Sequence, residues 1–182
     1  TGTLSKFIPA ERIVASIPYP AAEKTGPGMI KHVEGDRFPV GELDGSKSDR
    51  AATVADAFSE AGFKSRVLTD IRSHIWVKAW GNLAFNPISA LTRSTLGEIC
   101  RTPVTRQLAA TMMTEAIAVA EALDVRIRLT IDKRIAGAEA VGEHKTSMLQ
   151  DVEGGRPLEI DPLVGVFVEL GELVGVETPS IA

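Results

Sequence analysis

Cysteine is almost missing from this chain. Cys100 is the only one in 182 residues, so no internal disulfide can form and a reducing, cytoplasmic setting is the expected one. Histidine is nearly as scarce. His32, His74 and His144 have no carboxylate or cysteine at ligand spacing, so a metal site is not expected. Basic charge is not in excess: a net charge of −4 and a pI near 5.4 leave no basic face for a phosphate backbone or an anionic membrane. No apolar leader or membrane-length apolar run opens the chain. Also missing is any G-x-G-x-x-G spacing, the glycine-rich turn through which a dinucleotide pyrophosphate is held at a helix start.

What is present suffices for a packed fold. Hydrophobic residues make up 44% and charged residues 24%, close to the globular average, so the chain can bury enough apolar surface to offset the entropy of ordering. Both ends read as cuts, at Thr1 and after the Thr178-Pro179 turn signal.

Up to residue 69 the text is mixed. Ile13 to Pro20 reads as a strand, and Met29 to Val33 is expected to pair with Phe38 to Gly41 in a hairpin across Glu34-Gly35-Asp36-Arg37. Ser48 predicts the cap of a helix over Asp49 to Ala61 that Gly62 ends, and Lys64 to Thr69 reads as one more short strand. From residue 70 the pattern is helical. Asp70 is expected to cap a helix reaching Asn86, which Pro87 stops or kinks. Thr95 with Glu98 forms a capping box, Thr102-Pro103 opens a long helix to Leu123, and Asp161-Pro162 opens a last one to Val174 before Gly175. The expected domains are therefore residues 1–69 and 70–182.

One constellation carries chemistry. Lys78, Asn82 and Asn86 are spaced by four and form a single polar stripe on a helix. Trp76, Val77, Ala79, Trp80, Leu83, Ala84 and Phe85 cover nearly every other direction, so the helix should be buried with its stripe facing an internal cleft. A lysine there has its pKa lowered and can donate a proton, while two carboxamides orient a polar ligand. Spacing alone leaves open that Lys78 reaches solvent and that the asparagines bond locally beside Pro87. Cys100 reads as an apolar filler, and Met112-Met113 as core or interface.

The run Trp76-Val-Lys78-Ala-Trp-Gly-Asn82-Leu-Ala-Phe-Asn86-Pro87-Ile-Ser89-Ala90-Leu91-Thr92 resembles the central helix of the ketopantoate reductases (2-dehydropantoate 2-reductases). Ser147-Met-Leu-Gln-Asp151, Gly155-Arg156-Pro157 and Glu159-Ile-Asp161 resemble a second signature of that family, and Gly41-Glu42 and Asp70-Ile71 extend the likeness over roughly residues 25 to 179. The resemblance implies Lys78 as proton donor, Asn82 and Asn86 as substrate contacts, Ser147 toward the substrate carboxylate and Glu159 near the nicotinamide ribose. By themselves, Ser147 reads equally as the cap of a turn opening Met148 to Val152, and Glu159 as a solvated acid. The family's opening glycine-rich turn and its cofactor-side asparagine have no counterpart here, and Leu96 stands where some members place a polar substrate contact.

The expected architecture is α/β plus all-α: the second half of a Rossmann-like domain, then a helical substrate domain of the 6-phosphogluconate dehydrogenase C-terminal type. The resemblance implies NADPH-dependent reduction of a 2-oxo acid, above all 2-dehydropantoate, with this chain an incomplete portion and inactive alone. Its partners would be that small substrate and, undetermined by sequence, a second copy in a homodimer. A different hydroxyacid dehydrogenase of similar architecture, or a non-catalytic helical association module, are the alternatives.

Overall fold

A computed structural model describes residues 4–182, so the expected cut at Thr1 lies outside them. Packing separates two compact units, Thr1–Ile75 and Trp76–Ala182. The division falls inside a helix, where the sequence places it at residue 69.

In the first unit, β1 (Val14–Ser16) pairs antiparallel with β4 (Val40–Glu42), and β2 (Ala21–Gly26) pairs antiparallel with β3 (Met29–Glu34). The expected hairpin between Met29–Val33 and Phe38–Gly41 does not form. Met29–Glu34 turns back on Ala21–Gly26 instead, because Pro27 presets its own φ and Gly28 accepts a φ of +72°, which together close a tight two-residue turn. Helix α1 (Asp49–Glu60) begins as predicted, with the Ser48 hydroxyl accepting from the Ala51 N–H at 3.1 Å. After α1 the chain returns parallel to the strand before it through the bridges Arg37↔Lys64 and Val40↔Val67. The predicted strand over Lys64 to Thr69 is thus reduced to two bridges. Strand, helix and parallel return make a β-α-β crossover, the closing portion of a Rossmann-like layer.

Glu42 ties that crossover together. Its side chain is 6% exposed and takes a bidentate grip from Arg50, at 2.7 Å from Nε and 2.6 Å from the terminal nitrogen, plus a hydrogen bond from Ser48. Hydrogen bonding from Arg50, then from Ser48, holds the Glu42 carboxyl below its ordinary 4.5 against the opposing effect of burial. A depressed folded pKa contributes stability above the unfolded pKa that is lost as pH falls through the folded one. Melting temperatures from pH 7 down to pH 3 should therefore drop more steeply for the wild type than for Glu42→Gln, which is less stable at pH 7. Parallel pH curves for the two proteins would show that this carboxylate does not carry the effect.

The second unit contains most of α2 (Ile71–Thr92), then α3 (Leu96–Arg101), α4 (Pro103–Ala122), α5 (Ile131–Val141), α6 (Ser147–Glu153), a π-helical turn (Asp161–Gly165) and α7 (Val166–Val174). Thr95 and Glu98 form the predicted capping box, Pro103 opens α4, and Gly175 ends α7 in the left-handed conformation with φ +72°. Helix α5 is one that the end signals did not single out. The cap of α6 is Thr146, which accepts from the Leu149 N–H at 3.2 Å, so Ser147 is the first helical residue and not the cap.

Pro87 does not stop α2, which runs five residues further to Thr92. Leu83, Ala84 and Phe85 before it and Ile88 after it are all buried in one core with Ile99, Met113 and Ala116. Burying a Leu, Ile or Phe side chain stabilises by about 1.5–3 kcal/mol, so three of them outweigh the roughly 3 kcal/mol that an interior proline costs. Among the described residues no helix is long and apolar enough to cross a membrane.

Candidate functional site

Helix α2 is locked at two heights. Trp80 is fully buried and donates its indole N–H to the Met113 carbonyl of α4 at 3.0 Å, and Trp76 meets Phe167 of α7 edge-on, with ring centroids 5.2 Å apart. These anchors and the buried Leu83 and Ala84 account for the apolar side of the helix. Because α2 is continuous, Lys78, Asn82 and Asn86 lie along one remaining face.

Lys78 and Asn82 are half-buried and Asn86 is 5% exposed. Burial pushes the Lys78 ammonium below its ordinary 10.5. Among the described residues neither carboxamide has a hydrogen-bond partner, and no side-chain nitrogen or oxygen is both sealed from solvent and unpartnered. The Asn86 amide is therefore recessed yet still reachable, a state that a polar ligand can satisfy.

Ser147 and Glu159 stand elsewhere in the chain. Ser147 is exposed on the first turn of α6, and Glu159 is exposed in the irregular segment ahead of the π-helical turn. Neither hydrogen-bonds Asn82 or Asn86 among the described residues. The segment that joins them is fastened by Asp151 and Arg156, paired at 2.7 Å, which close the Gly154-Gly155 turn. A cavity of about 500 Å³ along Glu121–Arg128 and another of about 610 Å³ beside Gly171 and Thr178 include none of the five predicted residues. No cluster of three or more metal-ligating side chains occurs among the described residues.

The model of the ketopantoate reductase PanE/ApbA C-terminal family matches residues 70–182, the stretch that carries α2, α6 and the π-helical turn. The chain belongs to the ketopantoate reductase family. A 2-dehydropantoate 2-reductase of Mesorhizobium japonicum is 54% identical over 180 residues, covering 99% of this chain and 55% of that protein. The crystal structure of a 2-dehydropantoate 2-reductase from Geobacter metallireducens superposes with a TM-score of 0.88 at 29% identity, over 99% of this chain and 61% of that one. A D-mandelate dehydrogenase in complex with NADH superposes with a TM-score of 0.89 at 27% identity, over 99% of this chain and 62% of that one. The chain thus spans about half the length of the curated relatives it matches. The family is one of pyridine-nucleotide oxidoreductases.

One polar element beside the stripe escaped the reading of the sequence. The guanidinium of Arg134, from α5, lies 5.2 Å from the Phe85 ring centroid and directly over Gly81. An arginine on a helix surface is too ordinary a pattern to reveal this, and only the packing of α5 brings it to α2.

Proposed function

We propose that the protein of which this chain supplies the helical unit reduces a 2-oxo acid, 2-dehydropantoate, with NADPH, in the cytoplasm. The observation that carries the reading is the single face of α2 on which a lysine of lowered pKa stands in line with two unpartnered carboxamides, one of them buried. Lys78 donates the proton that the developing alkoxide needs and stabilises its charge, Asn82 and Asn86 orient the substrate, and Ser147 receives its carboxylate side. Glu159 is the one candidate on this chain for the nicotinamide ribose. The chain has no glycine-rich turn for the pyrophosphate, so its residues do not fit a whole dinucleotide and it should bind NADPH weakly when tested alone. When bound, the nucleotide supplies the hydride.

The likeness to D-mandelate dehydrogenase favours a second reading, in which the 2-oxo acid carries an aryl group. The test is to fuse this chain behind the portion of the Mesorhizobium relative that it does not match and to compare kcat/KM for 2-dehydropantoate and 2-oxo-2-phenylacetate. A preference of tenfold or more for 2-dehydropantoate supports the first reading, and the reverse preference replaces it with the second. In the same fusion Asn82→Ala or Asn86→Ala should weaken substrate binding by about 1–3 kcal/mol each with NADPH affinity retained. Unchanged steady-state constants in both variants would remove the asparagines from the site.

A further inference from the structure

We infer that Arg134 and Gly81 form a lock that sets the rotation of α2 about its own axis, making Arg134 a positioning residue for Lys78 and Asn82. This rests on the reading of Lys78 as proton donor. Gly81 lies three residues after Lys78, so the two are neighbours on the helix wall, and Asn82 follows about 100° further round. A methyl group added there would lie 2.7 Å from both Cζ and Nε of Arg134, and closer still to a terminal nitrogen. Such contacts are too short to persist, so any larger residue at position 81 would push the guanidinium, the mobile end of its side chain, off the helix wall where it now sits.

Phe85, one turn beyond Gly81, forms a second wall, its ring lying under the guanidinium. The backbone that carries Arg134 is fixed within α5. Thr130 caps α5 by accepting from the Lys133 N–H at 3.3 Å, the Arg134 N–H bonds the Thr130 carbonyl at 2.9 Å, and Ile135 and Ala138 of the same helix are buried in the core that holds Trp80 and Phe85. Among the described residues no carboxylate pairs with Arg134, although burial opposes its charge. A flat cation wedged on backbone and ring, with no ion pair to explain it, acts through shape. Turning α2 one way drives the guanidinium into the helix, and turning it the other way strips the ring contact. At the outer radius of a helix, about 5–6 Å, a 10° turn moves a side chain by about 1 Å. A misplacement of that size is enough to cost about 10²-fold in rate.

The test is a double-mutant cycle with Gly81→Ala, Arg134→Ala and both together, read in three ways. In the 182-residue chain, thermal melts report stability, and competitive acetylation reports the reactivity of Lys78 against the other lysines. The indole N–H resonances of Trp76 and Trp80, the two tryptophans of the chain and both on α2, report the setting of that helix. In the fusion with the Mesorhizobium segment, kcat and KM are measured. The lock predicts that Gly81→Ala and Arg134→Ala each shift an indole resonance, change Lys78 acetylation by threefold or more and lower kcat by about 10²-fold with a smaller change in KM. It further predicts that the double variant is no worse than Arg134→Ala alone, since the added methyl then has room. Arg134→Lys, which keeps the charge and loses the plane, should not restore kcat, and it takes the place of Arg134→Ala if that variant fails to fold. Full additivity of the two substitutions, or a lower melting temperature with Lys78 reactivity and kcat within twofold of wild type, would overturn the inference. A Lys78→Ala fusion that keeps its rate, beside a cycle that still couples in the indole signals, would instead sink the proton-donor reading and leave the lock standing.

Discussion

Replacing Lys78 with alanine should slow the chemical step by 10² to 10⁴, about 3–5 kcal/mol of barrier, while the protein still folds. Reduction of a ketone builds negative charge on oxygen, and an ammonium facing that oxygen stabilises the charge and gives up its proton. Burial lowers the Lys78 pKa and so brings it nearer the range in which the proton can be released at working pH. The sign follows from the charge: desolvation disfavours the ammonium, so raising the pH depletes the acid earlier than for an exposed lysine, and the rate should fall on the alkaline side at a pH below the ordinary lysine value of 10.5. A lysine that mattered only to packing would behave differently. Lys78→Ala would then lower the melting temperature and leave turnover per folded molecule intact. Single-turnover NADPH oxidation with saturating 2-dehydropantoate, measured in the fusion protein after its melting transition has been checked, separates the two. A loss of less than about tenfold would falsify the proton-donor assignment.

Trp80→Ala should destabilise the helical unit by about 3–5 kcal/mol, the usual cost of truncating a large buried aromatic. Trp80 is fully buried among Leu83, Ile99, Met113 and Ala116, so its removal leaves a cavity as well as losing the indole hydrogen bond to Met113. Trp80→Phe fills most of that space and loses mainly the hydrogen bond, so its cost should be closer to 1 kcal/mol. Urea unfolding followed by helical circular dichroism ranks the three proteins. The ranking matters for function because Trp80 sits two residues from both Lys78 and Asn82, on the opposite wall of α2. If Trp80→Ala costs less than 1 kcal/mol, the helix is not anchored where the packing places its anchor.

Local chemistry was legible wherever one or two residues settle the outcome. Ser48 starts α1, Thr95 with Glu98 starts α3, and Gly175 ends α7, because each of these ends depends on a side chain or φ angle within a few residues. The hairpin went to a different partner because its register depended on reading Pro27-Gly28 as the turn, and the polar run Glu34 to Arg37 competed for that role. Pro87 was read from its local cost alone, which the core on either side of it exceeds.

For the site, the spacing of Lys78, Asn82 and Asn86 determined that they share a face of one helix, since a regular helix repeats its direction every 3.6 residues. The same residues, with the Ser147 and Glu159 signatures, determined the family. What only the tertiary structure decided is the environment of that face. Burial of Asn86, the lowered pKa of Lys78 and the seating of Arg134 over Gly81 all depend on which helices pack beside α2. Those neighbours are distant in sequence, because desolvation and close packing are set by whatever is near in space, and periodicity along a chain carries no record of it.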